Sequence, residues 1–440
     1  MGSTIEFRQP GPLGQVTFDS YTIIVLGFRV ANDARDKAAA ALDAASMKLT
    51  TAFPWLAGQV VIEGRTESKS GKYAIVPYPE QEGKSLVRTK DCTELCPSYD
   101  EILAAKAPFS MLDGDILVST SPMGYNMPQS VPWPILVIEA NYIDGGLLLA
   151  FSTQHTGADM TGQGRIITYF AQALRHESFD PEDVREGNRT PDTVKFITKD
   201  EQAHSLAGLH RPSQLQVKYP TPVPPKAAMP WVYYRVSAAN AKHLKSLSKA
   251  YSTNDAITAF YVQTHTNVRA AAGVLKGDEA VVLQRAMSIR EQCGYSDRYL
   301  GSTAGSPSTT LYPNTDLVTV AAQLRKDLKN IDTHYARSFA TALALDDDST
   351  KYYYGADNRM GKDLVVSSWA KLPLCNTSFG EEMGGYPGFV RRPNLAPAPV
   401  TYILPLTRDG DVDLAICTTP DDHKLLQEDK EWCKYAEYIG

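Results

Sequence analysis

The chain has 440 residues, with 44 Lys plus Arg against 50 Asp plus Glu, for a net charge of -6. A sequence pI near 5.8 leaves no basic footprint for nucleic acid, and no apolar run reaches the ~18–20 residues of a membrane span. At roughly 150 residues per domain, the length predicts two or three domains. The start, MGSTIEFRQPGP, has no charged segment leading into an apolar one, so no export signal is expected. Glu6 stands where a myristoylation signal needs Ser or Thr. The six cysteines are spread without zinc-finger spacing, which predicts reduced thiols, a cytoplasmic setting and no metal centre.

In chain order, the β-branched run at 21–30 predicts a strand and 34–53 an apolar-spaced helix. A second strand follows at 58–63. Strands at 135–139 and 146–153 flank Asp144-Gly145, a hairpin signal. An amphipathic helix at 164–176 places Ile166, Ile167, Phe170 and Leu174 on one face. Past the midpoint the pattern predicts a strand at 231–236, helices at 238–250 and 254–271, and a strand at 281–289. A helical stretch in two pieces at 317–344 comes next, then strands at 364–368, 400–404 and 412–417, and a closing helix at 421–438. Mixed elements of this kind predict an α/β fold with mixed sheets.

The largest break in composition is 211–230, with prolines at 212, 220, 222, 224, 225 and 230. Proline lacks an N–H and fixes φ, so this stretch reads as an extended connector. It divides the chain into an N-terminal half, 1–210, and a C-terminal half, 231–440.

Several catalytic signatures are absent. Gly301–Gly305 reads GSTAG, with Thr303 where a nucleophile elbow needs Ser. No P-loop, dinucleotide fingerprint or HExxH occurs. Two H-x-x-x-D patterns do occur, His155…Asp159 and His176…Asp180. His176 lies in the charged stretch Arg175-His176-Glu177 at a helix end and reads as surface. His155 ends a buried strand and opens a Gly-rich turn, where a rigid backbone can hold an imidazole toward a cleft. A histidine there can act as a general base near neutral pH.

HTGADMTG after an apolar strand resembles the active-site segment of the BAHD acyltransferases, nearest their fungal trichothecene O-acetyltransferase-like branch. Further pieces are similar in order and spacing: Ala52–Gly58, Ser98–Glu101 with Met111–Gly114, Ser252–Ala256, Ser367-Ser368-Trp369, Ser378-Phe379-Gly380, Val390–Pro393 and Trp432–Tyr438. The resemblance implies two chloramphenicol-acetyltransferase-like domains, each with a mixed sheet and flanking helices. They are joined by a long crossover, matching 211–230, with a channel between them. It implies an acyl-CoA-dependent O-acyltransferase, most simply an O-acetyltransferase, acting on a hydroxyl of a secondary metabolite. His155 is then the base and Asp159 the orienting residue. Ser367, Ser368 and Trp369 are candidates for channel lining or oxyanion donors. Lys249, Ser252, Thr253, Arg391 and Arg392 are candidates for contacts to CoA. No bound cofactor is expected, acyl-CoA and a small-molecule acceptor being the partners of a monomer that engages neither nucleic acid nor membrane.

One segment departs from the family's D-F-G-W-G: Ser378-Phe379-Gly380-Glu381-Glu382. In the family that Asp pairs with an Arg, here matched to Arg290. The expectation is that Glu381 or Glu382 supplies the carboxylate, or that Arg290 is more exposed than usual. The departure keeps two other readings open: an enzyme of this fold turned to cyclisation or rearrangement without acyl-CoA, and a non-catalytic small-molecule binding protein.

Overall fold

The computed structural model describes residues 9–16, 20–64, 66, 71–120, 131–191, 194–206, 209, 225–346, 352 and 362–440. Of the connector 211–230, residues 211–224 therefore lie outside the described residues. The first half contains β1 (Tyr21–Arg29), α1 (Arg35–Ala52), β2 (Gln59–Glu63), β3 (Lys72–Val76), β4 (Val87–Asp91), α2 (Tyr99–Ala104), α3 (Gly114–Leu117), β5 (Trp133–Pro134), β6 (Leu136–Ile143), β7 (Gly146–Gln154), α4 (Met160–Leu174) and α5 (Pro181–Gly187). The second contains β8 (Trp231–Val236), α6 (Ala238–Ser248), α7 (Thr253–Ala271), β9 (Val281–Ser288), β10 (Ala304–Gly305), β11 (Ser308–Leu311), α8 (Leu317–Lys329), α9 (Thr333–Leu345), β12 (Leu364–Ser368), β13 (Phe389–Arg391), β14 (Thr401–Ile403), β15 (Val412–Cys417), α10 (Pro420–Glu428), α11 (Lys430–Tyr435) and β16 (Ala436–Tyr438).

Among the described residues the strands form three sheets. One runs β13-β1-β7-β6-β4, and a small one runs β3-β2-β5. The largest runs β10-β9-β12-β14-β15-β8-β16, with β11 also paired to β9. Both large sheets are mixed: β4 runs parallel to β6, and β12 parallel to β9 and β14, among antiparallel neighbours. Every residue of β6 and β7 is buried, as expected for central strands covered on both faces. Their hairpin turns at Asp144-Gly145, and Gly145 takes φ 67°, a conformation that side chains rarely adopt. Leu42 and Leu49 of α1 share one apolar core with Ile166, Phe170 and Leu174 of α4 beneath this sheet.

The first sheet's edge strand comes from the other half of the chain. β13 pairs antiparallel with β1, Val25 opposite Arg391 and Gly27 opposite Phe389. Gly27 is needed here, because a Cβ on it would lie 2.2 Å from the Phe389 ring. The closing helix expected over 421–438 ends at Tyr435, and the last three residues of that span form β16 on the edge of β8. No described helix is long and apolar enough to cross a membrane.

Candidate active site

His155 leaves the end of β7 with its main-chain N–H donating to the Ser20 carbonyl at 2.9 Å. The turn 155–158 then delivers Asp159 as the N-cap of α4, its Oδ1 accepting from Gly162 N–H at 3.0 Å. This cap starts the helix at Met160 rather than at the expected 164, because a carboxylate satisfies donors that the glycines alone would leave open.

Asp159 is 5% exposed and Arg290, just beyond β9, is 4% exposed. They form a two-pronged ion pair, Nη1 to Oδ2 at 2.8 Å and Nη2 to Oδ1 at 2.7 Å. The remaining Arg290 donors go to Tyr299 O, Ser288 Oγ and Gly301 O at 2.7–2.9 Å. Thr303 N–H adds a bond to Asp159 Oδ2 at 2.9 Å. Burial pushes the Asp159 carboxyl up, but Arg290 and these donors outweigh it and hold the group below the usual carboxylate range. The pair ties the β7–α4 turn to the loop after β9, and so joins the two halves beside His155. Gly162 permits the approach, since a Cβ there would sit 2.1 Å from the Leu300 carbonyl oxygen.

Arg290 thus departs from both expectations for it. It is buried, and its carboxylate is Asp159, not Glu381 or Glu382. Glu382 instead faces Lys37 at 3.6 Å, and the Ser378 carbonyl accepts from Arg175. Gly380 holds φ 89°, and Phe379 is fully buried edge-on to Phe28 with ring centroids 4.9 Å apart. The S-F-G-E-E segment therefore packs against the β1 sheet through its phenylalanine, and its altered polar positions do not reach the Asp159–Arg290 pair. Thr303, set aside in sequence as a failed nucleophile elbow, supplies a donor that spacing alone could not reveal.

The imidazole of His155 is half-buried. Its Nδ1 is enclosed without a hydrogen-bond partner, whereas Nε2 is not so enclosed and has no hydrogen-bond partner among the described residues. Burial lowers its pKa from the usual histidine value, against smaller raising effects from Asp159 and from its own main chain. The ring is therefore neutral at pH 7, the state a general base requires.

At the end of β12 in the largest sheet, Trp369 Nε1–H donates to Ser367 Oγ at 3.1 Å. Ser368 Oγ–H donates to Asn254 Oδ1 at 2.6 Å. The Ser367 hydroxyl proton has no acceptor among the described residues and is a free donor. Ser252 caps α7, accepting from Asp255 N–H at 3.1 Å and donating to Asp255 Oδ2 at 2.7 Å. Arg285 and Arg325 both pair with Asp255, so two cations meet one carboxylate beside this helix start. Thr253 is the first residue of α7, and Lys249 lies exposed in the left-handed turn before it. Arg325, stacked 4.3 Å over the exposed Tyr251 ring, was not foreseen. Arg391 is only 2% exposed. Its donors go to Asp413 Oδ2 at 2.7 Å and to the carbonyls of Ala107, Val390 and Lys106. It joins the two halves and leaves at most one N–H free of protein partners among the described residues. Arg392 is buried beside it and stacked on Trp231.

A family profile described as "Transferase family" matches residues 115–432, and a trichothecene 3-O-acetyltransferase-like N-terminal domain matches residues 20–174. The chain belongs to this transferase family, the BAHD acyltransferases, on its fungal trichothecene O-acetyltransferase-like side. It is 35% identical to the O-acyltransferase pigD of Monascus ruber, over 97% of this chain and 98% of that protein. It is 31% identical to the trichothecene 3-O-acetyltransferase TRI101 of Fusarium sporotrichioides, over 89% and 88% of the two chains. The crystal structure of F. sporotrichioides TRI101 with coenzyme A and T-2 superposes with a TM-score of 0.89 at 27% identity, covering 98% of this chain and 99% of that one.

Proposed function

We propose that the protein is an acyl-CoA-dependent O-acyltransferase, an O-acetyltransferase using acetyl-CoA, that acylates a hydroxyl of a secondary metabolite. The observation that carries this reading is His155: a neutral imidazole with an open Nε2, on a turn locked by the Asp159–Arg290 pair. His155 Nε2 takes the hydroxyl proton as the oxygen attacks the thioester carbonyl. The tetrahedral oxyanion accepts from preplaced donors, each typically worth about 3–4 kcal/mol, and the free Ser367 hydroxyl is the assigned one. The C–S bond then breaks, and His155 returns the proton to the CoA thiolate. No covalent acyl-enzyme forms. Lys249, Ser252 and Thr253, with Arg325, are assigned to the CoA phosphates, supported by the excess positive charge at the start of α7.

The halves 1–210 and 231–440, connected by 211–230, serve as the walls of the site in this reading. The enzyme works as a cytoplasmic monomer, which gel filtration and cell fractionation test. The rearrangement reading loses its motive, because the S-F-G-E-E segment that prompted it is remote from the Asp159–Arg290 pair. The decisive experiment supplies acetyl-CoA and a panel of polycyclic alcohols, reading free thiol and product mass. Products heavier by one acetyl group are expected from the wild type, and none from His155→Ala. Unchanged turnover in His155→Ala would falsify the general-base role.

A further inference from the structure

Five arginines among the described residues are at least nine-tenths buried: Arg269, Arg285, Arg290, Arg391 and Arg392. Four have a carboxylate within ion-pair distance: Asp422 at 3.0 Å, Asp255 at 3.1 Å, Asp159 at 2.7 Å and Asp413 at 2.7 Å, in that order. Arg392, 4% exposed, has none among the described residues. Its Nη1 is enclosed without a hydrogen-bond partner. Its guanidinium carbon lies 4.3 Å from the Trp231 ring centroid and 5.2 Å from that of Tyr402.

Aromatic faces attract a cation, but they do not replace a counter-ion for a buried one. Stacking against rings also leaves the in-plane edge of the fork as the part that can bind, and that edge matches a planar two-oxygen anion. The location narrows the ligand further. Arg392 follows β13 of the His155-bearing sheet, whereas Trp231 and Tyr402 belong to the largest sheet and Trp369 directly follows its strand β12. Tyr402 pairs across the ladder with Ser367 and lies 4.5 Å, ring to ring, from Trp369. The free charge therefore adjoins the residues assigned to the reacting end of the site. One guanidinium between aromatic walls neutralises one negative charge. A phosphate dianion there would keep an unbalanced charge out of water, at high cost.

We propose that Arg392 recognises a carboxylate carried by the acyl acceptor, so that the enzyme prefers hydroxy acids over their neutral counterparts. This rests on the acyl-transfer reading and adds an acceptor class to it. The test uses 6-hydroxy-2-naphthoate, its methyl ester and acetyl-CoA as calorimetric probes of the wild type, Arg392→Gln and Arg392→Lys. The wild type is expected to bind the acid about tenfold or more tightly than the ester, the scale of a charge-assisted contact. Arg392→Gln should bring the two probes level, Arg392→Lys should fall between, and acetyl-CoA affinity should stay unchanged in all three. Equal binding of acid and ester by the wild type overturns the proposal with no variant needed, even if the variants fail to fold. A preference that survives Arg392→Gln also overturns it. Weakened acetyl-CoA binding with an unaltered acid preference assigns Arg392 to a donor phosphate instead. Failure of the acyl-transfer reading shows separately, as a wild type that neither binds acetyl-CoA nor releases thiol.

Discussion

Asp159 carries two duties with one carboxylate, capping α4 and neutralising Arg290, and only the second needs its charge, since an asparagine oxygen can still accept from Gly162 N–H. Asp159→Asn leaves Arg290 buried without a counter-charge, and a loss of about 3–5 kcal/mol in urea unfolding is expected. Ser378→Asp restores the family's residue yet should change stability by no more than about 0.5 kcal/mol, because Arg290 is already paired. The pH dependence belongs to His155. Its folded pKa lies below 6.5, so the base stays neutral from pH 7 down into the acid range, and the acid limb of kcat/KM is expected below pH 6.5. A limb centred above 7 would contradict the burial argument. His155 and Asp159 were legible because their spacing sits on a strand-to-turn junction. The Arg290 partner was misjudged because sequence searches for a missing carboxylate near the altered motif, whereas the contact spans 131 positions.

Helix α4 shows how tightly an element's start is tied to the site. In Gly162→Ala the added methyl group meets the Leu300 carbonyl oxygen, and a backbone atom cannot rotate away. A cost of at least about 1–3 kcal/mol is expected by thermal melting, with reduced turnover as the His155 turn shifts. Helix α7 holds His265 at 3% exposure, and burial pushes its pKa down to about 3. The unfolded chain takes up a proton near pH 6.5 and the folded one does not, so stability falls as pH drops from 6.5 toward 3. Between pH 6.5 and 5 the wild type should lose about 1.6 kcal/mol more than His265→Gln in urea titrations. Apolar strands such as β1, β7 and β8 were readable to within a residue or so, since burial dictates their composition. β4, with four exposed residues of five, and the three-residue β13 carry no such pattern. Their partners, not their own residues, make them strands.

At the level of the whole molecule, the division read from the proline-rich connector is not a division of the sheets. β13 completes the β1 sheet, and Arg391 binds the carbonyls of Lys106 and Ala107. Residues 1–210 expressed alone are therefore expected to leave the outer edge of β1 unpaired and to aggregate, while co-expression with 231–440 should restore a soluble, thiol-releasing pair. Monodisperse, fully folded 1–210 by light scattering and circular dichroism would refute this. The same strand constrains biosynthesis. At about 5–20 residues per second, β13 leaves the ribosome roughly 20–70 s after β1. Throughout that interval the first sheet presents an unsealed apolar ribbon, so the nascent protein is at its most vulnerable almost until its translation ends. Slowed translation of the second half, or a shortage of chaperones, should reduce yield more than any defect in the finished enzyme.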